Sequence, residues 1–350
     1  MSNHVFLDRN ALKTAVELWT TNEQSAIDTY GRHISDWDVS NVTDMGFMFY
    51  RAYSFNEPLD NWDVSNVTNM QSMFDSARAF NQPLDNWKDK LSNVTNMTAM
   101  FRDARAFNQP LDNWNVSNVI IMNGMFNYAE SFNKPLDNWN VSKVTNMENM
   151  FYGASAFNQP LNNWNVTNVT HMSFMFSSTR AFNQPLDNWN VSNVITMSFM
   201  FYYARAFNQP LDNWNVTNVI SMNGMFNGAR AFHQDLSNLD ITANTTMTQM
   251  FRDTNVNEDF KPSFEKTVAR EQLRKQTRYN TMSTMKQKNK NRLDEHKSNL
   301  PHVLQRQITE FVAGKKRRKH STKRNVKKES KKKKQSKKKK QSKKKNIKSG

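Results

Sequence analysis

The chain has 350 residues, no Cys, 37% hydrophobic residues and a formal net charge of +17. Without Cys it can build no disulfide framework, thiolate metal site or Cys nucleophile, and it offers no thiol for lipidation. The charge is unevenly spread: residues 1–260 carry 15 Lys/Arg against 25 Asp/Glu, and residues 261–350 carry 33 against 6, so an acidic body precedes a strongly basic tail.

In chain order, the opening MSNHVFLDRN holds neither a basic n-region nor an apolar h-region, and no secretory signal is expected. No apolar run approaches the roughly 18 residues of a membrane-spanning helix, so the expectation is an intracellular protein with no membrane span. Asp8 to Trp19 reads as a capped amphipathic helix with Leu12, Ala15, Val16 and Trp19 on one face. Residues 1–33 are therefore expected to cap the segment that begins at residue 34.

That segment is a repeat. Trp recurs at 37, 62, 87, 114, 139, 164, 189 and 214, in steps of 25 residues with one step of 27, and a ninth unit has Leu239 in the Trp place. A fixed period in this range is the mark of a solenoid. Residues 34–260 are thus expected to form an α/β repeat of about nine coils.

Within a coil, Met70, Met73, Phe74 and Ala77 have the spacing of one helical face, which predicts a short helix. The segment from Phe80 to Trp87 predicts a short strand near Pro83–Leu84, with Pro at a strand end or corner where its missing N–H is not needed. The two extra residues after Trp87 predict a surface bulge. Stacking at about 4.8 Å per coil would align like with like. On that basis Asn81, Asn108, Asn133, Asn158, Asn183 and Asn208 are expected to form an amide ladder, each side chain donating to one neighbour and accepting from the other.

The unit W-[DN]-V-[ST]-[NK]-V-x-x-M-x-x-M-F-x-x-A-x-x-F-N-[QKE]-P-L-[DN]-N, seen from Trp139 to Asn163, resembles the BspA-like leucine-rich repeat family over about residues 34–253. That family includes mycoplasma surface proteins of unknown function, and similar arrays occur in protists and large DNA viruses. The resemblance implies a leucine-rich-repeat-like solenoid with a short strand and a short helix in each coil, and a binding or adhesion role. It implies no catalytic residues. A cell-surface adhesin is one alternative function, although the signal, lipidated Cys and anchor of the surface members have no counterpart in this sequence.

Side chains that could carry chemistry are few. Seven His at 4, 33, 171, 233, 296, 302 and 320 neither recur at a repeat position nor pair at ligand spacing. No Ser-His-Asp arrangement or Gly-rich phosphate loop is present, so neither enzyme activity nor a cofactor is expected. Asp60, Asp85, Asp112, Asp137, Asp187 and Asp212 form a column that could bind cations or, on the favoured reading, make Asx turns at a coil corner. Asn-x-Ser/Thr sequons recur with the repeat and are expected to stay unmodified. Positions that vary between coils point to a binding surface, and one such column holds Arg78, Arg105, Arg180, Arg205 and Arg230, suited to an acidic protein partner.

The remainder divides in two. Residues 261–314 read as a polar, partly helical linker in which 300–312 is F-box-like, giving a ubiquitin-ligase adaptor as a second alternative function. From Lys315 to Lys348 there are 21 Lys/Arg and one acid, Glu329. Lys315, Lys316, Arg317, Arg318 and Lys319 look like a nuclear import signal, and Lys331, Lys332, Lys333, Lys334, Lys337, Lys338, Lys339 and Lys340 form further basic blocks. Residues 315–350 are expected to be disordered. With no aromatic residue after Phe311, such a tail would hold nucleic acid or another polyanion through phosphate contacts alone. The expected function is a non-enzymatic scaffold for protein–protein interaction with a polyanion-binding or nuclear-targeting tail.

Overall fold

The computed structural model describes residues 4–298 together with 301–304, 306 and 310. Contacts divide the chain into two units, Met1–Glu271 and Gln272–Gly350.

The first unit begins with two helices. Asp8, in extended conformation, caps α1 (Arg9–Thr21) by accepting from the Ala11 N–H at 2.9 Å. Asn22 ends α1 and caps α2 (Glu23–Tyr30) through the Ser25 N–H, and Gly31 closes α2 at φ 82, a left-handed position that glycine adopts without cost. The face of α1 formed by Leu12, Ala15, Val16 and Trp19 is buried. Trp19 meets Trp37 of the first coil edge-to-face at 5.8 Å, so the helix covers the first coil's apolar end.

Nine tandem coils come next, joined through single parallel bridges that link Asp44, Asn69, Asn96, Ile121, Asn146, His171, Thr196, Ser221 and Thr246 in one column. Neither the short helix nor the short strand expected of each coil is present, and the described residues hold no sheet of continuous strands. Met70 to Ala77 is instead a run of turns. Inside the coil, Met73 N–H donates to Met70, Asp75 to Ser72 and Ala77 to Phe74. The alternate donors, on Met70, Ser72, Phe74 and Ser76, reach the carbonyls of Asn96, Thr98, Met100 and Arg102 in the next coil at 2.6–2.9 Å. A helix spends every N–H within itself; this run spends half of them on its neighbour.

Two left-handed residues per coil make that possible. They fall two and six places after the first Met: Ser72 and Ser76, Ala99 and Asp103, Phe174 and Ser178. A left-handed conformation costs a non-glycine residue about 1–2 kcal/mol. Four of these positions are Gly124, Gly153, Gly224 and Gly228, and at three of them glycine has a second reason. A Cβ at Gly153, Gly224 or Gly228 would come within 2.4–3.0 Å of the Tyr128, Phe199 or Tyr203 ring in the preceding coil. An aromatic ring in one coil is therefore accommodated by glycine in the next.

The interior is filled by columns of like residues. One Phe column, from Phe49 to Phe251, has successive centroids 5.3–5.8 Å apart. A second runs from Phe55 to Phe232 at 5.9–6.1 Å. Within a coil the two rings stack, as Phe151 does on Phe157 at 4.1 Å. Met, Val, Leu and Trp columns complete one continuous core. Each buried indole from Trp87 to Trp214 donates to a Leu carbonyl one coil back, as Trp139 does to Leu111 at 2.7 Å, which satisfies the ring's polar atom.

The Asn column is a ladder of a different kind from the one expected. The Asn81 side-chain oxygen accepts from the backbone N–H of Asn108 at 2.9 Å, and the pattern continues through Asn133, Asn158 and Asn183 to Asn208. Donation comes from the neighbouring Gln, as Gln109 Nε2 donates to the Asn81 carbonyl at 2.8 Å. Backbone amides and Gln thus take the donor role assigned to the Asn side chains. The two extra residues of the long coil sit beyond a single 3-10 turn, Asp85–Trp87, with Lys88 and Asp89 exposed. Asn69 still bridges Asn96 across that insertion.

The ninth coil leads to α3 (Phe264–Ser298). Its first turns close the coil through Thr267, whose Oγ1 accepts from the Ile241 N–H at 3.2 Å, and Arg270, which donates to the Asp240 carboxylate at 3.0 Å. In the second unit the described side chains of α3 are exposed, including Leu273, Tyr279, Met282 and Met285. Of the 300–312 stretch only 301–304, 306 and 310 are described, with 302–304, 306 and 310 helical. The Lys-rich segment 315–350, with all its candidate residues, lies outside the described residues.

Candidate functional site

The five arginines predicted from the repeat occupy equivalent, exposed places eight residues after the first Met of their coils. The structure divides them. Arg78 and Arg105 both converge on Asp103, at 2.8 and 2.7 Å, and Arg105 also lies 3.8 Å from Glu130. Burial alone would raise the Asp103 carboxyl, but hydrogen bonds and charge from Arg105 and Arg78 overturn that and hold it below the usual carboxylate range. These two arginines are neutralised within the fold.

Arg180, Arg205 and Arg230 make no ion pair or side-chain hydrogen bond among the described residues. For Arg180 and Arg205 the sequence shows why: between Asp212 and Glu148 the only other acid is Asp187, and Asp187 and Asp212 belong to the column two places before Trp. For Arg230, the equivalent of Asp103 is Asp253, which lies 3.7 Å from Arg252 instead. The three guanidinium groups stand one coil apart, a line of bidentate donors for carboxylate or phosphate. Phe174 belongs to the coil of Arg180, and Phe199, Tyr202 and Tyr203 to that of Arg205. Phe174 and Phe199 stack at 4.9 Å, and Phe199 lies over Gly224, so these rings turn their faces to one another and to backbone. They give the face rigidity more than open stacking platforms.

The Asp column shows no Asx-turn hydrogen bond at its own corner among the described residues. Asp60 instead bonds across coils, its carboxylate accepting the Asn86 N–H at 2.8 Å and the Asn86 side chain at 2.5 Å. Asn162 donates to Asp187 at 3.0 Å. Asp235, which stands in the Pro place of the ninth coil, accepts from the N–H of Ser237 two places on. Asx turns lie instead one residue after Trp, at Asp38, Asp63, Asn115, Asn140, Asn165, Asn190 and Asn215, and at the bridge column, at Asp44, Asn69, Asn96 and Asn146. Among the described residues no group of three or more His, Asp or Glu could hold a metal ion. The sequon Asn residues are spent on structure, Asn66 donating to the Ser40 carbonyl and Asn218 to that of Ser192.

One tyrosine pair at the surface has a pH consequence. Tyr128 is hydrogen-bonded to Tyr152 and partly buried, which together push its hydroxyl up to about 12 from an ordinary 10.0. The folded state thus holds this proton more tightly than the unfolded one. Its contribution to stability is full below pH ~10 and is lost as pH rises through about 12. Urea unfolding midpoints across that window should fall less steeply for Tyr128→Phe than for the parent chain; equal slopes would contradict the assignment.

Comparison with known families gives one match. The model of a family described as "Mycoplasma protein of unknown function, DUF285" matches residues 3–90, 88–188 and 161–264. No curated protein and no solved structure matches the chain significantly. No helix among the described residues is long and apolar enough to cross a membrane.

Proposed function

Since the chain belongs to the DUF285 family of mycoplasma-type repeat proteins, we propose that it is a non-enzymatic repeat scaffold that binds a protein partner through one face of its coils. The tandem coils would form a solenoid akin to the BspA-like leucine-rich repeats, with turns standing in place of the usual strand and helix. The observation that carries the reading is the division of the arginine column: two members are neutralised and three, Arg180, Arg205 and Arg230, are left with no internal carboxylate. A line of such donors matches an acidic protein segment. The aromatic rings of the same coils, already packed on one another and on Gly224 and Gly228, argue against stacked bases there.

Arginine footprinting of the full chain with phenylglyoxal tests this. Arg180, Arg205 and Arg230 should react faster than Arg78 and Arg105, and a dodecaglutamate peptide should protect those three. Uniform reactivity across all five, or protection confined to Arg78 and Arg105, would remove the basis of the proposal.

The Lys-rich tail supports a second activity, binding of nucleic acid or another polyanion or nuclear targeting, through its 21 basic residues between Lys315 and Lys348. Nucleic-acid affinity of the full chain should fall steeply with salt. A chain ending at Ser298 should lose that affinity, and retention would move the site into the coils.

A further inference from the structure

Within the Met run, the four backbone hydrogen bonds at each junction run one way, while others, such as Thr68 N–H to the Thr43 carbonyl and Ala79 N–H to that of Tyr53, run back. The peptide group joining Asn69 to Met70 receives the Met45 N–H at its carbonyl and gives its own N–H to Asn96 one coil on. The groups at 71–72, 73–74 and 75–76 do the same, and the pattern repeats at every junction as far as Met222, Gly224, Phe226 and Gly228 on the ninth coil. Four peptide dipoles per coil are therefore aligned in one sense, as in an α-helix. Along the Met run, one end of the stack presents carbonyls and the other presents N–H groups.

The carbonyl end is already covered by cations. Arg9 of α1 donates to the Gly46 carbonyl at 3.1 and 2.8 Å, and Lys13 donates to that of Met48 at 3.0 Å. At the opposite end, the N–H groups of Met247, Gln249, Phe251 and Asp253 have no acceptor among the described residues. Gln249 and Asp253 are left-handed, at φ 55 and 57. The N–H groups between those four, on Thr248, Met250 and Arg252, are already spent on Asn223, Met247 and Gln249, so the open donors form a row on every second residue. The side chains of Gln249, Arg252 and Asp253 are exposed, and Arg252 lies 3.7 Å from Asp253, so those two charges offset each other and the backbone supplies the positive end.

We propose that this N–H end of the ninth coil is a docking site for an acidic, extended segment of a partner protein, whose carboxylates and carbonyls accept the four open donors. Charge complementarity selects that occupant, since the negative end of the same dipole array is held by two cations. A second copy of the chain does not fit. Two such ends would meet donor to donor, and the carbonyl end of another copy is taken by its own Arg9 and Lys13. The donors here are backbone N–H groups of the ninth coil, whereas the arginine face uses side chains of the sixth to eighth coils, of which only Arg230 adjoins the ninth, its carbonyl accepting from Asn255 at 3.0 Å.

Amide hydrogen exchange of the full chain, read at single-residue resolution, tests the proposal. Without ligand, the amides of Met247, Gln249, Phe251 and Asp253 should exchange about 100-fold faster than those of Met222, Gly224, Phe226 and Gly228. Dodecaglutamate should slow the first set about 10-fold or more at low salt, and Arg252→Glu should reduce that slowing while leaving exchange in the free chain unchanged. Slow exchange before any peptide is added would overturn the proposal, as would no change with the peptide. An equal effect from a neutral Gln-Ser peptide would overturn the acidic specificity, and an equal effect from inorganic phosphate alone would overturn the peptide as occupant. Because footprinting at Arg180 and Arg205 reads side chains three and two coils before the ninth, failure at one place is distinguishable from failure at the other.

Discussion

Phe151→Ala is expected to destabilise the repeat body by about 3–5 kcal/mol and to split its urea unfolding into two transitions. Phe151 sits in the fifth of nine coils, fully buried, with Phe126 at 5.6 Å on one side, Phe176 at 5.7 Å on the other and Phe157 at 4.1 Å within its own coil. Removing the ring takes stacking partners from both junctions at once. In a repeat array each unit contacts only its neighbours, so cooperativity passes through every junction in turn. A lesion in the middle uncouples the halves, whereas Phe251→Ala, in the last and partly exposed coil, should cost less and leave one transition. Tryptophan fluorescence and circular dichroism tracked through the same urea series would show the split. A single transition displaced by under about 1 kcal/mol would mean that the phenyl column does not carry the coupling.

Gly224→Ala is the second large effect, expected to cost about 2–4 kcal/mol from two separable causes. Its φ of 59 penalises any Cβ, and that Cβ would lie 2.4 Å from the Phe199 ring. Gly31→Ala isolates the first cause, since Gly31 has φ 82 with nothing within 4 Å of its would-be Cβ. That change should cost only about 1 kcal/mol. The double variant Gly224→Ala with Phe199→Ala should then recover the steric part of the loss relative to the sum of the single changes. Equal unfolding midpoints for the Gly31 and Gly224 variants would refute the ring-over-glycine account.

Much of this fold is legible from spacing. The Trp steps disclose the coil, and the face of Leu12, Ala15, Val16 and Trp19 discloses how α1 lies on it. Spacing alone misleads for Met70, Met73, Phe74 and Ala77, because the same interval also suits overlapping turns. What decides between them is where alternate N–H groups go, and that depends on a neighbour 25 residues away and on left-handed residues such as Ser72 and Ala99, whose side chains do not announce it. The Gly residues at 224 and 228 are the visible clue.

The arginine column is legible because it departs from the invariant positions around it. Its division is not, since Asp103 neutralises Arg78 only once coils are laid against each other. The bonding of the Asp column is hidden for a related reason: short polar side chains favour corners, but a corner in a stack offers a partner in the adjoining coil, and Asp60 takes it. The four open N–H groups of the ninth coil leave no trace in residue type, being a property of backbone direction.

The 27-residue coil has a consequence for how such a chain can change in length. Asn69 pairs with Asn96 across the insertion just as Asn96 pairs with Ile121 without it, so the registry is set at the Met run and is indifferent to what the corner after Trp holds. Since the junctions either side of any interior coil use the same backbone groups, excising or duplicating one whole unit would rejoin equivalent surfaces. Recombination within the coding repeat could lengthen or shorten the body a coil at a time, with α1 still closing one end and α3 leaving from the other.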